Sequence, residues 1–348
     1  MGAETLDHRH RSVGVVGLGN IGGGVATNLL AAGHHVVVND LDSARVDALV
    51  AAGATAGTTA DAAATEAVFT SLPGPPQLRS VGLEPDGIVA NLKPDCTWID
   101  LSTNDSATAH DLHTACRRVG AHFVDAPVSG GPEGAAAGTL SLFVGGSVDD
   151  VAAVRPLLEA IGSRIFHVGP VGAGLAAKIA QVTLCYTQTV ALTEALVLGT
   201  KAGVDPAMML EIIQQSAGRS YVSDVYGPEI LAGTYDASFP VGHAAKDMGL
   251  ADDLAAAVGA ELPMIADVRA LYDMARERFG PAAPHLMTAR LREETNGVTL
   301  RATADPNDTV DPANPGNPTT RNPTTTSNPT SPANPTTRNP GANRLEHR

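Results

Sequence analysis

An amine, a hydroxyl beside two glycines and a glycine-rich turn are the groups in this chain that could do chemistry together. The amine is Lys178, near the start of an apolar stretch reading Gly172-Ala-Gly174-Leu-Ala-Ala-Lys178-Ile-Ala-Gln181-Val182. A buried ammonium is costly, so such a lysine is either paired or has its pKa lowered until it exchanges protons near neutrality. The alternative is a head that reaches solvent past the helix start. The hydroxyl is Ser129, followed by Gly130 and Gly131. Two residues without side chains after a serine expose consecutive N–H groups beside an O–H, a cradle suited to a carboxylate. The same residues would also serve a plain turn into the next strand. The glycine-rich turn is Gly17-Leu18-Gly19-Asn20-Ile21-Gly22, a G-x-G-x-x-G. Its glycines let the backbone approach a pyrophosphate, and the helix that follows points its N-terminus at that anion.

The elements that position these groups follow an αβ rhythm. Val13–Val16 reads as a strand and the segment from Val25 to Leu30 as a helix, ended by Gly33. Val36–Val38 reads as a second strand, closed by Asn39 and Asp40, both expected to contact the coenzyme. A lone glycine motif is weak, but strand, turn, helix and an acidic residue about 20 positions further on make a dinucleotide-binding unit. A carboxylate at Asp40 would hydrogen-bond the adenosine ribose and repel a 2′-phosphate, which favours NAD over NADP. Asp40 would otherwise be an N-cap or turn residue, and Arg45 is close enough to soften that preference. A helix over Ser43–Ala52, strands at Ala67–Ser71 and Thr97–Asp100, a helix over 106–119 and a strand at His122–Asp125 continue the pattern. A strand at Thr139–Val144, a helix at Val151–Ile161 and a strand at Arg164–Val168 complete it. Leu72, Pro73, Ser102 and Thr103 fall at the carboxyl ends of strands, where an open parallel sheet binds its ligand; each could equally be loop chemistry.

The stretch from Gly172 to Lys201 carries apolar residues around its whole circumference, and a helix apolar all round is expected to be buried. After Gly203 the reading is helical without strands: Pro206–Ser216, a helix through Val258, Pro263–Phe279 and Ala283–Glu294. The fold class is therefore an α/β Rossmann-type N-terminal domain and an all-α C-terminal domain joined by a long helix. The expected divisions are a flexible N-terminus (1–11), an NAD-binding domain (12–170), a helical domain (171–296) that includes the helix 172–201, and a tail (297–348). The tail repeats Asn-Pro and holds Asn-Pro-Thr-Thr-Arg twice, with almost no aliphatic residue. Such a composition cannot bury enough surface to fold and is expected to be disordered.

Lys and Arg number 23 against 37 Asp and Glu, a formal charge of −14 over 348 residues. That excess of acid speaks against nucleic acid or an anionic membrane as partner. Three cysteines far apart show no metal or disulfide spacing, the pattern of a reducing cytoplasm. The N-terminus has no apolar signal-peptide core, and no apolar run reads as a convincing membrane span. A short all-α domain built on a shared long helix is expected to complete its core against a second subunit, as a homodimer or homotetramer.

Four separated motifs resemble the β-hydroxyacid dehydrogenase family, which includes 3-hydroxyisobutyrate dehydrogenase and tartronate semialdehyde reductase. They are Gly17-Leu-Gly-Asn-Ile-Gly22, Asp125-Ala-Pro-Val-Ser-Gly-Gly131 with Gly138-Thr-Leu140, Gly172-Ala-Gly-Leu-Ala-Ala-Lys178, and Lys246-Asp247 followed by Leu250-Ala251. The resemblance runs from about Val13 to Glu294 and implies a fold like that of 6-phosphogluconate dehydrogenase. It implies Lys178 as the catalytic lysine, Ser129 to Gly131 as the substrate-carboxylate site and Lys246 as a group beside the nicotinamide. Phe239 and Gly218-Arg219 match positions lining the substrate pocket, and Glu194 matches a buried acidic position. The activity implied is reversible NAD(P)-dependent oxidation of a small 3-hydroxy acid to its semialdehyde. An imine-reducing relative and a non-catalytic dinucleotide-binding module are the alternatives; the lysine weighs against the first, and the lysine with Ser129-Gly-Gly against the second. The chain departs from the family after the lysine, where two amide residues are usual. Gln181 keeps one amide and Val182 replaces the other, which points to a bulkier or more apolar substrate.

Overall fold

The apolar run after Arg11 becomes the first strand, β1 (Ser12–Val16), in a computed structural model that describes residues 11–301. The readings for residues 1–10 and 302–348 lie outside the described residues. There follow α1 (Gly22–Ala31), β2 (His35–Asn39), α2 (Ser43–Ala51), β3 (Thr55–Ala56), α3 (Thr59–Ala63), β4 (Ala67–Thr70), α4 (Pro75–Leu83), α5 (Ile88–Asn91) and β5 (Thr97–Asp100). Next come α6 (Ser106–Arg118), β6 (His122–Asp125), β7 (Val128–Ser129), α7 (Gly131–Ala137), β8 (Leu140–Gly145), α8 (Val148–Ile161) and β9 (Gly162–Gly169). The strands form one sheet in the order β3-β2-β1-β4-β5-β6-β8-β7, with β9 on β8. Pairing is parallel from β3 to β6 and antiparallel where β8 meets β6 and β7.

The middle strands β4 and β5 are buried at every residue, as a parallel sheet with helices on both faces requires. Val13, Val15, Phe69 and Ile99 pack on one side, and Val16, Val68, Trp98 and Phe123 on the other. The order reverses between β1 and β4, so the crevice beyond their carboxyl ends is where such a sheet takes a ligand.

The helical half consists of α9 (Ala173–Lys201), α10 (Pro206–Gln214), a π-helical turn (Val222–Tyr226), α11 (Gly227–Ala232), α12 (Val241–Val258), α13 (Pro263–Phe279) and α14 (Met287–Asn296). The long helix α9 packs on β8 and β9 with its first turns and on α10, α12, α13 and α14 with the rest. By length and composition it could cross a membrane; in this fold half of its most apolar window is buried against the protein.

Three expectations need correction. Although apolar all round, α9 is not buried all round: Leu184 is 57% and Leu198 72% exposed, because packed helices cover only part of its circumference. The Glu194 side chain is 53% exposed and lies 2.6 Å from Arg292, so it is a surface ion pair rather than a buried acid. Residues 297–301, placed in the tail on composition, pack on the helical half. Leu300 is fully buried and donates its N–H to Glu293 Oε1 at 2.7 Å, while Arg301 bonds Glu293 and the Ile230 carbonyl.

Candidate active site

The glycine turn divides three tasks among three residues. Gly17 has φ +89°, and a Cβ there would lie 2.3 Å from the Ser71 carbonyl. A Cβ on Gly22 would fall 1.8 Å from the Gly17 carbonyl, so α1 can start against the turn only without a side chain. Gly19 faces open space apart from an Arg45 guanidinium nitrogen 3.4 Å from its would-be Cβ. That opening, above an α1 N-terminus that no side chain caps, fits the pyrophosphate of a dinucleotide. Leu18 is itself a core residue, while Asn20 is exposed.

Asp40 sits against this turn. Its Oδ2 accepts from the Leu18 N–H at 2.6 Å and its Oδ1 from the Asp42 N–H at 2.8 Å, which fixes a carboxylate at the end of β2. Asn39 differs from expectation. Its amide donates to the Gly57 carbonyl at 2.9 Å and accepts from the Thr59 hydroxyl at 3.1 Å, so its side chain braces β2 from within.

The loops after β4 and β5 meet each other and α12. The Leu72 N–H donates to Ser102 Oγ at 2.9 Å; Ser102 is 3% exposed, so its hydroxyl ties the loops together instead of facing the crevice. Lys246, on α12, donates to the Thr103 carbonyl at 2.8 Å, and a Cβ on Gly74, next to Pro73, would lie 3.4 Å from Lys246 Cδ. Lys246 Nζ also lies 3.0 Å from Asp247 Oδ1, and Asp247 Oδ2 accepts from the Tyr186 hydroxyl at 3.1 Å. One ammonium thus links the coenzyme-side loops to the helical half.

The start of α9 is held by a carboxylate from the sheet. Asp125, at the end of β6, accepts from the Gly172 N–H at 2.8 Å and the Leu175 N–H at 3.0 Å, capping a helix whose own N-cap residue is a glycine with φ +92°. Its register neighbour Asp100 accepts from Thr70, Asn104 and the Ser102 N–H. Burial raises both carboxyls to about 6, against the lowering effect of those hydrogen bonds.

Lys178 lies in the second turn of α9, half-buried, with no hydrogen bond or ion pair among the described residues. Desolvation lowers its pKa; the nearby Asp247 carboxylate raises it and the Lys246 ammonium lowers it further. Val182, Cys185 and Tyr186 follow on the same helical face. Val182 is buried in an apolar cluster with Tyr186, Val190 and Val241. Gln181 is exposed and makes no hydrogen bond among the described residues.

Ser129 ends β7, paired with Ser141, and Gly130 and Gly131 open α7 with φ +129° and +63°. Ser129 Oγ makes no hydrogen bond among the described residues, and no side chain caps α7. The helix packs on α1 through Asn28, which donates to the Ala135 carbonyl at 2.7 Å, so this cradle and the glycine turn share one support. Arg219 is turned outward, ion-paired to Asp224 at 3.0 Å, whereas Phe239 packs against the Val182 cluster. Asp125, Tyr186, Cys185, Tyr226 and His285 are site neighbours to which sequence reasoning assigned no role. Helical spacing from Lys178 would have found Cys185 and Tyr186, and Asp125 opens the motif that holds Ser129; Tyr226 and His285 come from distant elements and leave no local signal.

A doubly wound sheet with an open glycine turn, joined to a helical half that sends a lysine back over the strand ends, defines a dinucleotide-binding protein. Residues 12–169 match the model of the NAD-binding domain of 6-phosphogluconate dehydrogenase, and residues 172–291 the NAD-binding model of NADP-dependent 3-hydroxyisobutyrate dehydrogenase. The chain is 35% identical to the NAD-dependent L-serine dehydrogenase of Pseudomonas aeruginosa over 82% of its length and 99% of the relative's. It is 39% identical to the 3-hydroxyisobutyrate dehydrogenase of the same organism over 75% and 91% of the two chains. A structure of Mycobacterium tuberculosis 3-hydroxyisobutyrate dehydrogenase with L-serine superposes with a TM-score of 0.75 at 29% identity, covering 81% of this chain and 99% of that one. The chain belongs to the β-hydroxyacid dehydrogenase family. Its coenzyme is a nicotinamide adenine dinucleotide, NAD or NADP.

The Asp40 geometry carries an expectation about that choice. Asp40→Asn keeps an acceptor for the Leu18 N–H but removes the charge that would oppose a 2′-phosphate. The ratio of kcat/KM with NADP to that with NAD should rise on the order of tenfold. Steady-state kinetics with both coenzymes measures it, and an unchanged ratio would take Asp40 out of coenzyme selection.

Proposed function

We propose that this chain reversibly oxidises a small 3-hydroxy acid, of the 3-hydroxyisobutyrate type, to its semialdehyde. The observation that carries the reading is Lys178: a desolvated amine near Lys246 and Asp247 of α12, without an ion pair among the described residues. A nicotinamide coenzyme, when bound, would supply the acceptor for the hydride that leaves the carbinol carbon. The chain's residues do the rest. Neutral Lys178 takes the hydroxyl proton as the carbon is oxidised, and its ammonium returns a proton to the oxygen in the reverse direction. Lys246 keeps a positive charge near, which disfavours charging Lys178 and helps keep the amine available. Ser129 Oγ and the N–H groups of Gly130 and Gly131 hold the substrate carboxylate, turning carbon 3 toward the coenzyme.

Relatives named for L-serine and for 3-hydroxyisobutyrate act on molecules that share a carboxylate and a hydroxyl on carbon 3 and differ in the group on carbon 2. Val182, one turn after Lys178, offers that group no hydrogen bond, which supports an apolar substituent such as methyl. The exposed Leu184 and Leu198 on α9 support a homodimer or homotetramer. We place the enzyme in the cytoplasm. The test is a panel of 3-hydroxy acids, including 3-hydroxyisobutyrate and L-serine, assayed with NAD and NADP. Turnover of the methyl-bearing acid in preference to serine is expected; no turnover of any acid would refute the proposal.

A further inference from the structure

Beside Val182, the helical half carries rings that the proposed reaction chemistry does not use. Phe239 packs against the cluster containing Val182 and Tyr186. Tyr226 packs against the same apolar cluster as Cys185, which lies two turns beyond Lys178 on the same face of α9. Both rings therefore flank the stretch of α9 that follows the lysine. Between them stands His285, 2% exposed, with centroids 4.8 Å from Tyr226 and 5.9 Å from Phe239 in edge-to-face geometry. Its Nε2 lies 2.9 Å from Asp236 Oδ2, and its Nδ1 is buried without a partner. Among the described residues, one hydrogen bond and two ring contacts orient this side chain.

The backbone around it is fastened as if to hold that orientation. The His285 N–H donates to the Phe239 carbonyl at 2.9 Å, and the Val241 N–H to the Ala283 carbonyl at 2.7 Å. Pro240 and Pro284 form an antiparallel bridge. Tyr235 and Asp236 are consecutive non-glycine residues in the left-handed region, with φ +57° and +48°. Such a conformation costs free energy and persists where surrounding contacts impose it. Here the Tyr235 hydroxyl is tied to Glu293 and the Asp236 carboxylate to His285.

We infer that His285, held by Asp236, is a positioning residue that sets the Tyr226–Phe239 wall against the carbon-2 substituent of the substrate and so selects its size. The inference rests on the proposed oxidation of a 3-hydroxy acid. An apolar wall that is fixed in place discriminates by contact area, so its loss falls on the largest substituent and spares the smallest.

The test uses the full-length protein with His285→Gln and His285→Phe. Kinetics with NAD are read for three 3-hydroxy acids bearing hydrogen, methyl or propyl on carbon 2. In parallel, ¹⁹F spectra are recorded on fluorotyrosine-labelled protein, with Tyr226 assigned by Tyr226→Phe. His285→Gln should raise KM for the propyl acid about tenfold, change it for the hydrogen-bearing acid less than about twofold, and leave kcat in place. The Tyr226 resonance should shift and broaden. His285→Phe keeps a ring between the two aromatics and should bring KM back to within about threefold of the wild type. A uniform KM change across the acids, a fall in kcat for all of them, or an unmoved Tyr226 resonance would overturn the inference. If the wild type oxidises none of the acids, the proposed function fails, and the Tyr226 resonance alone decides whether His285 holds the wall.

Discussion

Lys178→Ala should lower kcat/KM by about 10³-fold, within the range that general acid–base groups contribute, while the Kd for NAD stays within about twofold. Lys178→Arg should not rescue it, because a guanidinium stays charged and cannot take the hydroxyl proton. The pH dependence gives a second check. Oxidation requires the neutral amine, so its rate should rise with pH through the Lys178 pKa, which desolvation sets below the ordinary 10.5. Reduction requires the ammonium and should fall through the same value. Lys246→Ala removes a neighbouring positive charge, so the inflection should move to higher pH. Rate–pH profiles in both directions measure this; full turnover by Lys178→Ala would remove the lysine from the mechanism.

Gly174→Ala is expected to be strongly destabilising. A methyl there would stand 2.3 Å from the Phe143 carbonyl oxygen, 2.7 Å from Asp125 Oδ2 and 2.9 Å from the Asp125 carbonyl oxygen. Two of these are main-chain atoms of the sheet and the third is the carboxylate capping α9, so the helix start must move and its cap must lengthen. Overpacking of this kind costs about 1–3 kcal/mol or more, and loss of the cap adds about 1 kcal/mol. At roughly 2–4 °C per kcal/mol for a chain of this size, Tm should fall by about 10 °C. Gly249→Ala is the control: a Cβ there meets nothing within 4 Å, and the change should be neutral or mildly stabilising. Thermal unfolding of the two variants decides the matter; equal melting would show that the approach of α9 to the sheet is not tight.

Most of the sheet was legible in the sequence because its strands are short apolar runs bounded by turn residues. The strands at Thr97–Asp100 and His122–Asp125 and the helix Pro263–Phe279 were read to the residue. Two helices that the sequence reading did not anticipate share a cause. Gly74-Pro-Pro opens α4 and Gly131-Pro-Glu-Gly opens α7, sequences that carry turn signals and no apolar period. The π-helical turn at Val222–Tyr226 has no period that residue spacing would reveal. The lysine and the glycine turn were legible because each needs particular residue types close in sequence. The His285–Asp236 pair was not, since the two residues lie on separate connections and only folding brings them together. For Ser102 and Asn39 the residue type pointed to a ligand, and neighbouring main-chain groups claimed the side chains instead.

The Asp125 cap has a mechanical consequence. It rivets the turn of α9 that carries Lys178 to the platform that bears the glycine crevice, whereas Phe239 and His285 lie on segments that lead into α12 and α14. Among the described residues, the Lys246 ammonium on the Thr103 carbonyl ties this second part to the platform near the crevice, and α12 also packs along α9. On the proposed function, the group that moves the proton is braced by the sheet and the rings proposed to meet the substituent are braced by the helices, so a change to either brace should be felt first by its own partner.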